Sequence, residues 1–104
     1  MIPATVKIGG IVYPVRVVET PICVDHKECT AAIHYETQYI EVAKNLGEER
    51  QEEALWHEVM HGIVRDRFHG LDLGDDEEDV VEAFARGVHA FCVDNGLRFE
   101  GGVG

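Results

Sequence analysis

Apolar and polar positions alternate with two different periods along this chain, and the change of period divides it in half. From residue 4 to residue 44 the period is close to two. Val6 and Ile8, then Ile11 to Val18, form two β-branched runs around Gly9-Gly10, a pattern that predicts a hairpin. Pro14 interrupts the second run and has no N–H to give to a ladder, so it predicts an edge strand or a bulge. Thr20 to Thr30 carries no clear period and reads as irregular. In the following segment, AAIHYETQYIEVA, the pairs Ile33, Tyr35 and Ile40, Val42 flank Glu36-Thr37-Gln38 and predict a second hairpin.

From residue 46 to residue 95 the period lengthens to that of a helix, in two blocks. Asn45 followed by Glu48 resembles a capping box, and Glu48, Glu49, Glu52 and Glu53 gather where the helix dipole favours acids. Gly70 and Gly74 bound a loop after Phe68, Asp75 and Asp76 are placed to cap a second helix, and Asn95-Gly96 is a stop signal. Strands precede helices. The expected class is α+β, with two helices on one face of a small antiparallel sheet, in a single domain over 1–104.

Composition narrows the function before any motif does. The 104 residues are 45% hydrophobic and 28% charged, as in an ordinary globular domain. Nine Lys and Arg against twenty Asp and Glu give a formal charge of −11. That balance argues against nucleic acid, whose binding requires Lys and Arg on phosphates, and against anionic membrane surfaces. No apolar run approaches a membrane span, and MIPATVKIGG lacks a secretion signal, so a cytoplasmic location is expected. Three cysteines are a poor disulfide framework.

The chemistry lies in the first helical block, at His57-Glu58-Val59-Met60-His61, an H-E-x-x-H motif. Histidines four residues apart stand one turn apart on one helix face, and both rings reach a single Zn²⁺ at about 2.0–2.1 Å. Glu58 projects beside them, where a carboxylate takes the proton of a zinc-activated water. With His57 at zero and about 100° per residue, Leu55, Val59, Ile63, Trp56, Met60 and Val64 span about 160° to 340°. The motif fills the sector next to that arc. The expected helix therefore buries one broad side and carries His57, Glu58 and His61 at its margin.

A catalytic zinc takes a third protein ligand and keeps one position open. Arg67 occupies the place of a third histidine, so the ligand is expected to be a carboxylate of the second helix. With Glu78 at zero, Val80, Phe91, Phe84, Val88, Val81 and Cys92 span about 200° to 320°, and Glu78, His89 and Glu82 lie just beyond. Glu78 is the first choice and Glu82 the competitor. Asp75, Asp76, Glu77 and Asp79 read as a cap and a solvated acidic start.

LWHEVMHGI followed by EDVVEAFA resembles the gluzincin zinc peptidases, and among them the small ImmA/IrrE-like metallopeptidases and the minimal gluzincins of about a hundred residues. The resemblance covers about residues 54 to 86. It implies a zincin-like fold in which an active-site helix is followed by a glutamate helix carrying Glu-x-x-x-Asp, with Phe-Ala soon after. Matching Phe84-Ala85 to that tail places the ligand on Glu78 and puts Glu82, in place of the family's Asp, where an acid orients a zinc-bound histidine. It also implies that an extended substrate pairs with a strand above the metal, for which 31–43 is the candidate. The implied function is a zinc-dependent endopeptidase acting on a protein or peptide, such as a phage or mobile-element repressor or another co-encoded regulator. The −11 charge is compatible with a basic partner.

Transition-state stabilisation has four candidates of equal weight: His89, Tyr35, Tyr39 and Arg86. Cys23-x-x-His26-x-x-Cys29 offers three ligands without a fourth and reads as a loop with two free thiols or a disulfide, and Cys92 as a core residue. The Gly-rich end, 100–104, is placed to lie over a cleft. The alternative to an enzyme is a zinc-stabilised binding or regulatory module with latent or no activity; Glu58 favours the enzyme, because a purely structural site has no use for it.

Overall fold

The computed structural model describes residues 2–19, 21–68 and 73–99. Its elements are β1 (Thr5–Ile8), β2 (Ile11–Val18), β3 (Ile22–Val24), β4 (Lys27–Cys29), β5 (Ala31–His34), β6 (Tyr39–Ala43), α1 (Glu48–Arg67) and α2 (Glu77–Asp94). A single 3₁₀ turn, Gly74–Asp76, leads into α2. The class is α+β, with strands first and helices second.

The first hairpin forms as its pattern predicts. β1 and β2 are antiparallel with Ile8 opposite Ile11, and Gly9 and Gly10 have φ of +56° and +85°, a two-residue turn that needs left-handed backbone twice. β2 pairs with β1 over residues 11–14 and with β6 over 15–18, so Pro14 sits where the strand changes partners. The second hairpin joins β5 and β6 with His34 opposite Tyr39; Tyr35 lies in its turn and not in its strand.

The expected all-antiparallel sheet is corrected to a mixed one. Its order is β1-β2-β6-β5, with β2 parallel to β6. Twenty residues separate β2 from β6, enough for a crossover, and β5 occupies only one edge of β6. The stretch expected to be irregular contains a second small ribbon, β3 against β4, turning on Asp25 and His26 at φ of 51° and 64°. Asp tolerates that region, which is why no glycine marks the turn. In its register Ile22 faces Cys29 and Cys23 faces Glu28, so the two thiols project from opposite faces and Cys23, His26 and Cys29 do not converge.

α1 packs on the sheet. Ile40, Val42 and Leu55 are fully buried, with Ile8, Tyr13, Ala31 and Val59 around them. The buried stripe of α1 is Glu52, Leu55, Glu58, Val59 and Gly62, turned toward Glu58 from the predicted arc. Gly62 explains the turn: a Cβ there would stand 2.8 Å from Ile8 Cδ1 and 3.3 Å from Ile33 Cδ1, so the helix meets the sheet on its side-chain-free spot. The predicted capping box does not form. Gly47 is the N-cap, without a side-chain bond, and Gln51 Nε2 donates to the Leu46 carbonyl at 3.1 Å. Asp76 likewise precedes α2 without a capping bond, because the 3₁₀ turn holds it in helical backbone.

α2 lies against α1 through Val81 and Ala85, both buried. It stops as Asn95-Gly96 predicts. Gly96 has φ +68°, Leu97 N–H donates to Cys92 O at 2.8 Å, and Gly96 N–H to Val93 O at 3.3 Å. The chain then returns along α1. Arg98 clamps Glu52 through two hydrogen bonds, and Phe99 stacks on Trp56 at 4.9 Å. Residues 100–104, assigned above to the cleft mouth, lie outside the described residues.

The Gly9 turn generates a stability prediction. A Cβ on Gly9 would fall 2.3 Å from the Asp66 carboxyl, whereas one on Gly10 meets nothing within 4 Å. Both positions carry the left-handed penalty of about 1–2 kcal/mol for an L-residue. Gly9→Ala adds displacement of Asp66 and is expected to lower the urea midpoint more than Gly10→Ala. Equal losses would show that the approach to α1 is not a constraint.

Candidate metal centre

The site forms where the first turn of α2 crosses the middle of α1. His57 and His61 stand one turn apart, as the motif requires, with Nε2 atoms 3.2 Å from each other. Glu78 reaches into the gap: Oε1 is 2.7 Å from His57 Nε2 and Oε2 is 3.0 Å from His61 Nε2. Val81 and Ala85, three and seven residues further along α2, hold this turn against α1. Among the described residues, His57, His61 and Glu78 form the one cluster of metal-ligating atoms within 4.8 Å of one another. Of the two predicted carboxylates, Glu78 is the one brought to both Nε2 atoms.

The outer nitrogens are also met by acids. Glu82 Oε2 lies 3.0 Å from His57 Nδ1, the orienting position that the motif comparison gave it. Glu77 Oε2 lies 2.9 Å from His61 Nδ1, hydrogen-bonded to it. This corrects the reading of Glu77 as solvated. The helical wheel misplaced it because Phe84 and Phe91 were counted in the core arc. They are 63% and 59% exposed, and the buried side of α2 is set by Val81 and Ala85 instead. A Val and an Ala four residues apart were the available signal, since helices approach closely over small residues.

All four ring nitrogens thus face carboxylate oxygens at 2.7–3.0 Å. A carboxylate accepts hydrogen bonds and donates none. The Nδ1 atoms therefore carry protons toward Glu77 and Glu82, which leaves both Nε2 lone pairs aimed at each other and at Glu78. A cation placed among these atoms would satisfy both lone pairs and the Glu78 carboxylate together. Tetrahedral zinc at about 2.0–2.1 Å holds its ligand atoms about 3.3–3.4 Å apart, slightly wider than the present spacing. A two-His, one-carboxylate donor set with an acid behind each His fits zinc.

Glu58 lies beside this cluster and is only 8% exposed. Burial pushes its carboxyl up, opposed by His57, His61 and a hydrogen bond from the Ile33 backbone N–H. That bond identifies the sheet edge. Ala43 N–H donates to Thr30 O, so alternate pairing turns the main-chain groups of Ala31 and Ile33 away from β6. β5 is the edge strand, and with α1 and α2 it lines a cleft of about 520 Å³ containing His57, Glu58, His61, Glu78 and Glu82.

The remaining candidates separate. Tyr35 follows β5; burial pushes its hydroxyl up to about 12, with the Arg65 guanidinium 4.1 Å from its ring centre opposing and the Glu58 and Glu77 charges adding. It is thus a protonated donor near Glu58. Arg86 lines the cleft but is held by Glu82 at 2.8 Å. Tyr39 stacks on His34 and under Arg16, away from the cleft. His89 packs toward Glu53 and is not in the cleft wall. Cys92 is half-buried on α2.

Compared with models of protein families, with curated proteins and with solved structures, the chain gives no match. The site's interpretation therefore rests on its own geometry.

That geometry ranks the glutamates. Protein purified without added metal is expected to carry or take up one zinc per chain, and Glu78→Ala to lose it. Glu77→Gln and Glu82→Gln are each expected to weaken affinity by about 10–100-fold, the usual effect of removing an orienting acid. Competition with a chelating dye measures all three. A greater loss in either Gln variant than in Glu78→Ala would move the ligand to that residue. Because His57, His61 and Glu78 come from both helices, chelator is also expected to lower the thermal midpoint.

Proposed function

We propose that the chain is a zinc-dependent endopeptidase of the gluzincin type. His57, His61 and Glu78 hold the metal, and Glu58 is the general base. The carrying observation is the pairing of a cluster able to hold a metal ion with a buried carboxylate next to His57 in the chain. A structural zinc site closes its own coordination and needs no such neighbour.

Bound zinc supplies Lewis acidity and brings the pKa of a water near 7. The chain's own groups do the rest. Glu58, kept from bulk water and fixed by Ile33 N–H, accepts the proton of the attacking water and returns it to the departing amine. Glu77 and Glu82 hold the two imidazoles in the Nδ1–H form, leaving Nε2 free as ligand. The outward N–H and carbonyl of Ala31 and the carbonyl of Ile33, whose N–H Glu58 has taken, give an extended peptide an edge to pair with, along the cleft that contains Glu58. A folded segment does not fit that mode of binding, so the substrate class is unstructured peptide or a loop of a regulator.

Glu58→Gln tests the reading. The amide keeps size and hydrogen bonding but accepts no proton, so zinc content and fold are expected to persist while cleavage of unstructured protein falls at least about 100-fold. Equal cleavage by both forms would assign the activity elsewhere. Zinc retention without cleavage by either, across unstructured and regulatory proteins, would favour a zinc-stabilised binding module.

A further inference from the structure

The outer side of α2 carries an apolar strip that the fold does not use. Val80, Ala83, Phe84, Gly87, Ala90 and Phe91 share the side turned away from α1. Phe84 and Phe91 are 63% and 59% exposed, far from the isolated surface leucine that needs no explanation. A shallow groove runs between the two rings, bordered by Ala83 and Val88, with Gly87 as its floor. A Cβ on Gly87 would meet nothing within 4 Å, so the groove is open to its base. From Val80 to Phe91 the strip is about 16 Å long, three helical turns.

The rim is acidic. Asp76 and Asp79 stand exposed at one end and Asp94 at the other. The cation beside the strip, Arg86, is engaged by Glu82 at 2.8 Å and faces Glu53 at 3.8 Å. We propose that this face docks an amphipathic helical segment of a partner protein, with apolar side chains in the groove and Lys or Arg flanking them. Charge selects this occupant over a second copy. A two-fold pair of α2 helices would set Asp76 and Asp79 of each copy against Asp94 of the other, in a chain of net charge −11. Basic flanks convert the same rim from repulsion to attraction.

Glu78 lies on the opposite side of α2 from the strip, so docking leaves the cleft open. A partner held by one segment on α2 keeps its other segments free to reach β5. The surface does not depend on the metal reading, and its test uses no enzymatic activity.

The probes are a labelled Leu/Lys amphipathic helical peptide and its Leu/Glu counterpart, titrated into the full chain. The Leu/Lys peptide is expected to bind and the Leu/Glu peptide to bind at least about tenfold more weakly. Gly87→Arg puts a long cationic side chain in the groove, replaces glycine with a better helix former, and its Cβ meets nothing within 4 Å. It is expected to keep the helical circular dichroism while weakening the Leu/Lys peptide about tenfold or more. Phe84→Ser with Phe91→Ser is expected to do the same. Equal binding of both peptides, or unchanged binding by both variants, would overturn the proposal. Sedimentation showing a dimer that Gly87→Arg dissociates would assign the face to a second copy and overturn it as well.

Discussion

A carboxylate that is 8% exposed, wedged between a helix and a strand, sets terms for everything around it. Burying an unpaired charge is expensive, so Glu58 needs hydrogen-bond donors that no other partner has claimed. Ile33 N–H is such a donor only because β5 is an edge strand; a neighbour on that side would have taken the N–H for its ladder. The approach also requires α1 to sit close to β5. Gly62, one turn beyond Glu58, provides that contact by presenting backbone to the Ile8 and Ile33 methyl groups. The mixed sheet, the edge and the glycine are thus parts of one solution.

The second helix answers a different demand. Its first turn brings Glu77 and Glu78 onto the histidines, and its second brings Glu82. Acids at a helix N-terminus are favoured by the dipole, so the residues that serve the imidazoles also suit the start of α2. Close packing over Val81 and Ala85 makes that reach possible. The cost of the arrangement is accumulated negative charge, which the two imidazoles and Arg86 answer only in part among the described residues.

Much of this was legible in the sequence, for local reasons. His57, Glu58 and His61 share a turn by helical geometry alone, Gly9-Gly10 fixes a hairpin by its backbone freedom, and Asn95-Gly96 ends α2 by the same freedom. Glu78 followed once the second helix was recognised. What failed to show was non-local. The parallel pairing of β2 with β6 depends on a crossover that no local period reports, and the β3–β4 ribbon turns on Asp25-His26 without a glycine. Glu77 was missed because hydrophobicity alone assigned the buried side of α2. Phe84 and Phe91 drew that side toward themselves, although the small Ala85 is what the neighbouring helix touches.

α1 buries two glutamates, and their contrasting partners separate structure from chemistry. Glu52, at 2% exposed, is met by the Arg98 guanidinium through two hydrogen bonds. Arginine stays charged at any ordinary pH, so this pair is a fixed clamp that ties the chain's return to the helix. Among the described residues, Glu58 receives no such guanidinium. The groups that act on it are two imidazoles, the Glu78 carboxylate and the Ile33 backbone N–H. A guanidinium paired to Glu58 as Arg98 is to Glu52 would hold its carboxyl down and make it a weaker base in the role proposed for it. Burial without a guanidinium partner raises the carboxyl of Glu58, the direction that the proposed base needs. The same helix therefore holds one carboxylate tied down by a guanidinium and, in the function proposed, another left able to take up a proton.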